Sequence, residues 1–552
     1  MKPRKRFRLR FDFWSIVTIS AFAFFLLFLV YPLFSIFINS FIVDGRLDFS
    51  NYQEFFSYRY YYEALLNSLL VAFFATIFAC CLGIPLAYIM TRYDLPFKNL
   101  INILLVLTLM SPPFIGAYSW ILMLGNNGFI TNIFSDWFNI DLPTIYGLGG
   151  MIWVFSLQLY PHIYLYVSGA LKTVDRSLEE ASEGLGLFGL NRIRKITLPL
   201  IFPTVSMGAM MVFMSAFATF GTPRLLGQSD TLLPVLAFEM FINELGSSPA
   251  MASTISIVLL TITTSILFLQ RYLIARKTYT MNSMNAPKLV RLRWPLKTAM
   301  MMGIAGLLTV SLIPQATVIT TSFRQTNGPV FTSGFTLDSY REVFYRVPNA
   351  IINTFTYSSI AMVFMLVMGL LVSYVIVRRS SKLTALLDSL IMIPYVMPGT
   401  VLGISLILAF NEPPIEITGT WVILVIAYCI RRLPYTMRSS TAVLHQIDKS
   451  VEEASISLGV SPVKSFFKTT AVLMVPGVLS GASLSWVTTI NELSSTIVLY
   501  SAATATISVS VYSEVFTSNL GAAAALASIL TLSTIVSLIV VTIISGKRGL
   551  PI

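Results

Sequence analysis

Two places in the chain set ionisable side chains into apolar surroundings. Arg431 and Arg432 stand beside Pro434 in an apolar run that starts near Gly419, and Asn491 and Glu492 stand toward the end of another. A charge inside a hydrocarbon-spanning segment is costly and by default marks a pathway or a partner. Glu492, as a lone charge, reads as a pathway residue. For the arginines two readings stand open: they line a pathway or gate, or they snorkel to the inner headgroups from below the middle of their span. A carboxylate near tyrosines suits a hard cation, whereas arginines suit phosphate-like anions; the sequence offers both. At the corresponding place earlier in the chain stand Gln158, Leu159, Tyr160, Pro161 and His162, so Gln158, Tyr160 and His162 join the pathway candidates.

Covalent chemistry has little support. His162 and His445 are the two histidines, which excludes His-rich metal sites and most His-based catalysis, and no metal site is expected. No G-x-x-x-x-G-K-[ST] run occurs, so the chain is expected to hydrolyse no ATP itself. Gly184, Gly186 and Gly189 match G-x-G-x-x-G, but they follow a helical pattern rather than a strand. Cys80, Cys81 and Cys429 lie in apolar runs without disulfide or zinc spacing and read as small core residues.

The strongest pattern is a repeated loop. Residues 171–186 read LKTVDRSLEEASEGLG and residues 444–459 read LHQIDKSVEEASISLG, with nine of sixteen positions identical. Ser177 with Glu180, and Ser450 with Glu453, have the spacing of a capping box. Glu179 and Glu452 add charge suited to a helix N-terminus, and Gly186 and Gly459 end the helix. Each copy is therefore expected to be a short exposed helix and a turn. A plain connector would not explain why the loop stayed alike while its flanking segments diverged.

The elements that carry these loops follow from composition. Hydrophobic residues make up 55% of the 552 residues and charged residues 11%, with mean hydropathy +0.77; soluble domains hold about 25% charged residues. Such a chain requires the bilayer as its solvent. Spans of about 20 apolar residues are expected near 14–40, 64–91, 99–124, 147–171, 203–223 and 250–270. A second set is expected near 298–322, 351–377, 384–410, 420–441, 474–497 and 521–545. The first is too long for a signal-peptide core and is expected to stay attached. Ser111-Pro112-Pro113 and Pro394–Pro398 mark breaks in the third and ninth. With both termini inside, only Arg46, Arg59, Arg224, Arg324, Arg341 and Arg346 of the 37 basic residues lie outside. That distribution satisfies the positive-inside rule and accounts for the net charge of +12 without nucleic acid.

Asn67, Gly83, Tyr88 and Arg92 recur 286 residues later as Asn353, Gly369, Tyr374 and Arg378, and Pro161, Glu180, Gly186 and Pro203 recur at an offset of 273. The chain thus reads as two parallel six-span halves. Its expected divisions are a basic segment, first span and outer loop (1–62), a first core domain (63–270) and a cytoplasmic linker (271–296). The seventh span and outer loop (297–348), a second core domain (349–545) and a tail (546–552) follow.

Glu180-Ala181-Ser182, Gly186 and Ile196-Thr197-Leu198-Pro199 resemble the signature of permeases of binding-protein-dependent ABC importers. The second copy keeps Glu453, Ala454, Ser455 and Gly459 but has Thr469, Ala471 and Val472 in place of Ile, Leu and Pro, so two contacts of different geometry are expected. Within that superfamily the fused halves resemble the ferric-iron transporter permeases, through Ala218–Pro223, which adds Thr219 and Phe220 to the pathway candidates, and through Asn491–Thr496. The resemblance implies an all-α polytopic membrane protein with the type I ABC importer permease fold, about twelve transmembrane helices in two parallel six-helix repeats, in a bacterial inner membrane. It implies that Ser177, Glu179, Glu180, Ala181, Gly186 and Pro199, and Ser450, Glu452, Glu453, Ala454 and Gly459, form two ATPase-docking loops. The implied partners are two copies of a cytoplasmic ABC ATPase, which would consume ATP and Mg, an extracytoplasmic binding protein, and membrane lipid. No cofactor is expected on this chain. Relatives by this resemblance carry thiamine, polyamines, phosphonates or sugar phosphates, so the substrate stays open, with ferric iron the first choice. An ion-coupled secondary transporter is the rival class.

Overall fold

The computed structural model describes residues 12–43, 45–242, 248–276, 289–327 and 330–545. The basic run Lys2–Arg10, part of the expected linker (277–288) and the tail 546–552 lie outside them. Among the described residues, eight helices are long and apolar enough to cross a membrane. Two further pairs pass that test but are bent. Lys98–Met110 meets Pro113–Phe138 at 94°, and Lys382–Val396 meets Gly399–Phe410 at 113°. These are the third and ninth spans, broken at the expected prolines. The fourth (Leu148–Thr173) and tenth (Trp421–Gln446) are 26-residue helices, about 39 Å long at 1.5 Å per residue. They are more polar because they carry Gln158, His162, Arg431 and Arg432. Helices dominate because hydrocarbon offers no partner to an unpaired backbone group. Two small antiparallel strand pairs, Ile42–Val43 with Arg46–Leu47 and Arg324–Asn327 with Val330–Phe335, lie in loops.

The chain forms two compact units. One comprises 1–39, 347–509 and 533–552; the other comprises 40–346 and 510–532. The first span, Phe13–Asn39, is thus grouped with helices of the second repeat, and the seventh, Trp294–Thr321, with those of the first.

Within each unit the central packing is the same, and a repeated glycine permits it. The fourth span packs against Arg59–Arg92 and the tenth against Pro348–Arg378. A Cβ on Gly83 would lie 2.7 Å from Ile163 Cβ and 2.8 Å from the Tyr160 carbonyl oxygen; one on Gly369 would lie 2.7 Å from Thr436 Cγ2. Gly83→Val and Gly369→Val are each expected to cost about 1–3 kcal/mol through overpacking, read as a lower melting temperature of the purified protein. Gly306→Val, at a position with nothing within 4 Å of the added carbon, is the control.

The fifth and eleventh spans also end within one residue of the matching place. The fifth span (Ile193–Ala218) starts about ten residues before its expected boundary and stops at Thr219; the eleventh (Pro462–Ile490) stops at Asn491. Both stops fall where polar side chains replace the apolar run, and Thr219 Oγ1 (2.6 Å to the Ser215 carbonyl) and Asn491 Nδ2 (3.0 Å to the Val487 carbonyl) return to the helix end.

Candidate functional site

The two repeated loops fold alike. Their helices are Arg176–Gly184 and Lys449–Ser457, nine residues each. The cap differs from the expected one. Asp175 and Asp448 are the N-caps, each accepting a 2.8 Å hydrogen bond from the backbone N–H of Ser177 or Ser450. Ser177 and Ser450 lie inside the first turn. Aspartate two residues earlier reaches the free N–H groups in an Asx-type turn, so the S-x-x-E spacing is not the cap. The backbone and side-chain hydrogen bonds from Ser450 hold the Asp448 carboxyl below the usual carboxylate range. That cap is present above the usual value and lost only on acidification through the lowered one.

Gly186 (φ +77°) and Gly459 (φ +86°) take the left-handed conformation that ends each helix. The Leu187 N–H bonds the Ser182 carbonyl at 2.9 Å, and the Val460 N–H bonds the Ser455 carbonyl at 3.3 Å. Immediately before each glycine stands a leucine in solvent: Leu185 is 80% exposed and Leu458 86%. Glu180, Ala181, Glu453 and Ala454 are exposed beside them. The exits also match. Each has a four-residue helix, then a π-helical turn (Ile193–Thr197 or Phe466–Thr470), then the long span, at the same offset of 273. The expected difference in geometry between the loops is therefore absent from the backbone. Pro199 is exposed two residues past the π-helical turn; Val472 stands at the same place in the second exit.

The loops differ in side-chain anchors. In the first, Arg192 pairs with Glu183; the Glu179 side chain lies outside the described residues. In the second, Glu452 accepts from the Tyr374 hydroxyl, and Arg378 Nη2 donates to the Leu444 and Ile447 carbonyls, which tie the tenth span's end to Pro348–Arg378. Trp14 of the first span stacks on Tyr374 at 4.1 Å and meets Phe466 edge-on at 4.9 Å. Glu452 is thus an anchor rather than only a dipole partner.

Inside the same unit, Glu492 is not alone. It forms ion pairs with both Arg431 and Arg432, and accepts from the Ser495 N–H (3.1 Å) and Oγ (3.2 Å). Its side chain is 3% exposed and those of the arginines 16%. The tenth span continues to Gln446, past the expected end, which places Arg431 and Arg432 near its middle, about 20 Å from its C-terminal end. Snorkelling is therefore not what they do: they turn to the carboxylate. Gly399, at the break of the ninth span, makes room; a Cβ there would lie 2.0 Å from Arg431 Nη1 and 2.7 Å from Ser494 Cβ. Asn491 Nδ2 donates to Thr534 Oγ1 at 3.2 Å.

The other unit has a neutral version of this arrangement. Gln158, the counterpart of Arg431, donates from Nε2 to the Ser111 carbonyl at 3.1 Å, at the break of the third span. Ser111 Oγ lies 2.7 Å from the Gln315 amide, and Ser311 Oγ donates to the Tyr160 hydroxyl at 3.2 Å. A cavity of about 20 Å³ lies among Thr108, Ser111, Gln158, Ser311 and Gln315, room for about one water. Thr222 Oγ1 donates to the Pro113 carbonyl at 3.2 Å. Phe220 is fully buried against Phe238 and Tyr512, and His162 is half-buried on the fourth span. Among the described residues, no group of three or more His, Cys, Asp or Glu side chains is placed to hold a metal ion.

Two parallel repeats, broken spans and paired loops set this protein beside known ones. The family described as binding-protein-dependent transport system inner membrane component matches residues 79–279 and again 365–549. The chain belongs to this permease family. The Ferric transport system permease protein FbpB of Actinobacillus pleuropneumoniae is 29% identical over 534 residues, covering 95% of this chain and 77% of that protein. The Fe(3+)-transport system permease protein FbpB 2 of Haemophilus influenzae is 25% identical over 85% of this chain and 87% of its own length. The Molybdenum transport system permease protein ModB of Escherichia coli is 31% identical over 160 residues, 29% of this chain and 69% of its own.

In this permease the structure brings Arg431, Arg432 and Glu492 together, with Asn491 next in sequence, and gathers Gln158 and Tyr160 around the broken third span. Thr219 and Phe220 lie at the end of the fifth. Sequence reasoning passed over Asp175, Asp448, Leu185 and Leu458, although all four sit at identical positions of the repeated sixteen. It also passed over Gly399, for which the sequence carries no signal.

Proposed function

We propose that this permease is the membrane-spanning subunit of an ATP-driven importer of ferric iron. Two copies of a cytoplasmic ATPase dock on Arg176–Gly184 and Lys449–Ser457, and an extracytoplasmic binding protein delivers the cargo. The chain carries no ATPase site and no cofactor of its own; ATP and Mg are used by the partner. It lies in a bacterial inner membrane with both termini in the cytoplasm. Closure of the ATPase pair draws the docked loops together, and the attached spans alternate between outward and inward access as rigid bodies. Arg431, Arg432, Glu492, Asn491, Gln158, Tyr160, His162, Thr219 and Phe220 line or gate the path.

The observation that carries the substrate is the match to a ferric transport permease along 95% of this chain, with both halves fused. The test is uptake of radioactive iron into vesicles holding the permease and its ATPase, with ATP inside and iron-loaded binding protein outside. Iron entry that requires both partners and ATP is the expected result. Transport by the permease alone under an ion gradient would overturn the importer reading in favour of a secondary transporter.

A further inference from the structure

We infer that the Arg431–Glu492–Arg432 cluster accepts an anion, so that cargo crosses this permease as an anionic oxygen-ligand complex rather than as a bare metal cation. The inference rests on the pathway reading above and adds the charge of what moves.

The argument begins with charge balance at one point. Two guanidinium groups share one carboxylate, leaving one net positive charge in a buried place. The charged groups that bear on the cluster are these three, with the neutral hydroxyls of Tyr428 and Tyr435 beside them. Among the described residues, no second carboxylate pairs with either arginine. Glu492 also has its lone pairs engaged, by both arginines and by Ser495, so it has little capacity left as a ligand for a hard cation. The arginines keep donors to spare. A guanidinium has five N–H groups and no acceptor, and Arg432 Nε is buried with no hydrogen-bond acceptor among the described residues. An unmet donor on a buried cation favours an arriving oxyanion, because charge-assisted hydrogen bonds are roughly twice as strong as neutral ones. A multivalent cation at the same point meets like charge in a medium of low dielectric, where repulsion is strongest.

The neutral unit sharpens the point. At the matching position stands Gln158, bonded to a backbone carbonyl, and Thr219 stands where Glu492 does in the repeat. A strut between a broken span and its neighbour can be built without charge there. The charged version therefore does something that support alone does not require.

The experiment reads the charge carried per iron. In the vesicles described above, a potential-sensitive dye is followed together with iron uptake. The inference expects an interior that does not turn positive as iron enters. An interior that gains the full ionic charge of each iron overturns it, and this measurement needs no variant. Arg432→Gln, which leaves Arg431 and Glu492 as a neutral pair, is expected to lower uptake by about tenfold or more, the effect of losing a charge-assisted hydrogen bond. ATPase stimulation by loaded binding protein should persist. Uptake equal to wild type in Arg432→Gln also overturns the inference. If the wild type admits no iron but admits a phosphonate or molybdate, and Arg432→Gln does not, the ferric reading falls and the anion-accepting site stands.

Discussion

Glu492→Gln is expected to lower stability by about 3–5 kcal/mol, because it leaves two buried arginines without their counterion. The wild-type carboxylate is 3% exposed and serves both guanidinium groups at once. Glutamine keeps the shape and the capacity to accept but removes the charge, so the excess at this point rises from one positive charge to two. The measurement is the melting temperature of the purified permease and its accumulation in the membrane. Adding Arg431→Met and Arg432→Met to Glu492→Gln is expected to restore both, since an apolar replacement of a whole buried triad is often neutral or stabilising. Uptake should not return with it. Full uptake by the triple variant would show that the cluster serves only as a brace.

Leu185→Ser combined with Leu458→Ser should abolish assembly with the ATPase while leaving the permease folded. Both leucines are more than three-quarters in solvent, so their removal opens no cavity, and each follows a capped helix that holds it in place. Large apolar side chains presented on a rigid turn are what a partner's pocket buries. Losing two such anchors at about 2 kcal/mol each lowers affinity by roughly a thousandfold. The check is co-purification of the ATPase and ATP-dependent uptake, alongside an unchanged melting temperature. The single variants should be similar in effect, since the two loops share one backbone path. A much stronger effect at Leu458 would assign weight instead to the anchors described at the second loop, Glu452–Tyr374 and Trp14 on Tyr374.

Much of this protein was legible in the sequence because the bilayer imposes few solutions. Spans about 20 residues long, prolines at the breaks of the third and ninth, and the repeat at two offsets are one-dimensional signals. Each maps onto a helix, a bend or a matching pair in the structure. Gly83 and Gly369 were visible as repeated residues, and their reason, the close approach of neighbouring helices, required the packing. The short helices of the repeated loop form where expected, but their caps were assigned two residues late. Ser-x-x-Glu and Asp-x-Ser both satisfy capping rules, and local spacing does not say which oxygen reaches the free N–H groups.

The polar groups divide in the same way. The sequence by itself determined that Arg431, Arg432 and Glu492 would lie within apolar spans, because their neighbours are apolar for many residues on either side. It also determined that the two loops would fold alike, because nine of their sixteen positions are identical. Only the tertiary structure decided that the carboxylate is consumed by both arginines. The pair separation is some 60 residues, and an ion pair depends on distance in space, which the folded tenth and eleventh spans set and the order of residues does not. The same holds for Gly399, whose missing side chain leaves space for Arg431 across a bend. It holds as well for the two exits, where different residues follow one path because the flanking helices, not the signature proline, impose it.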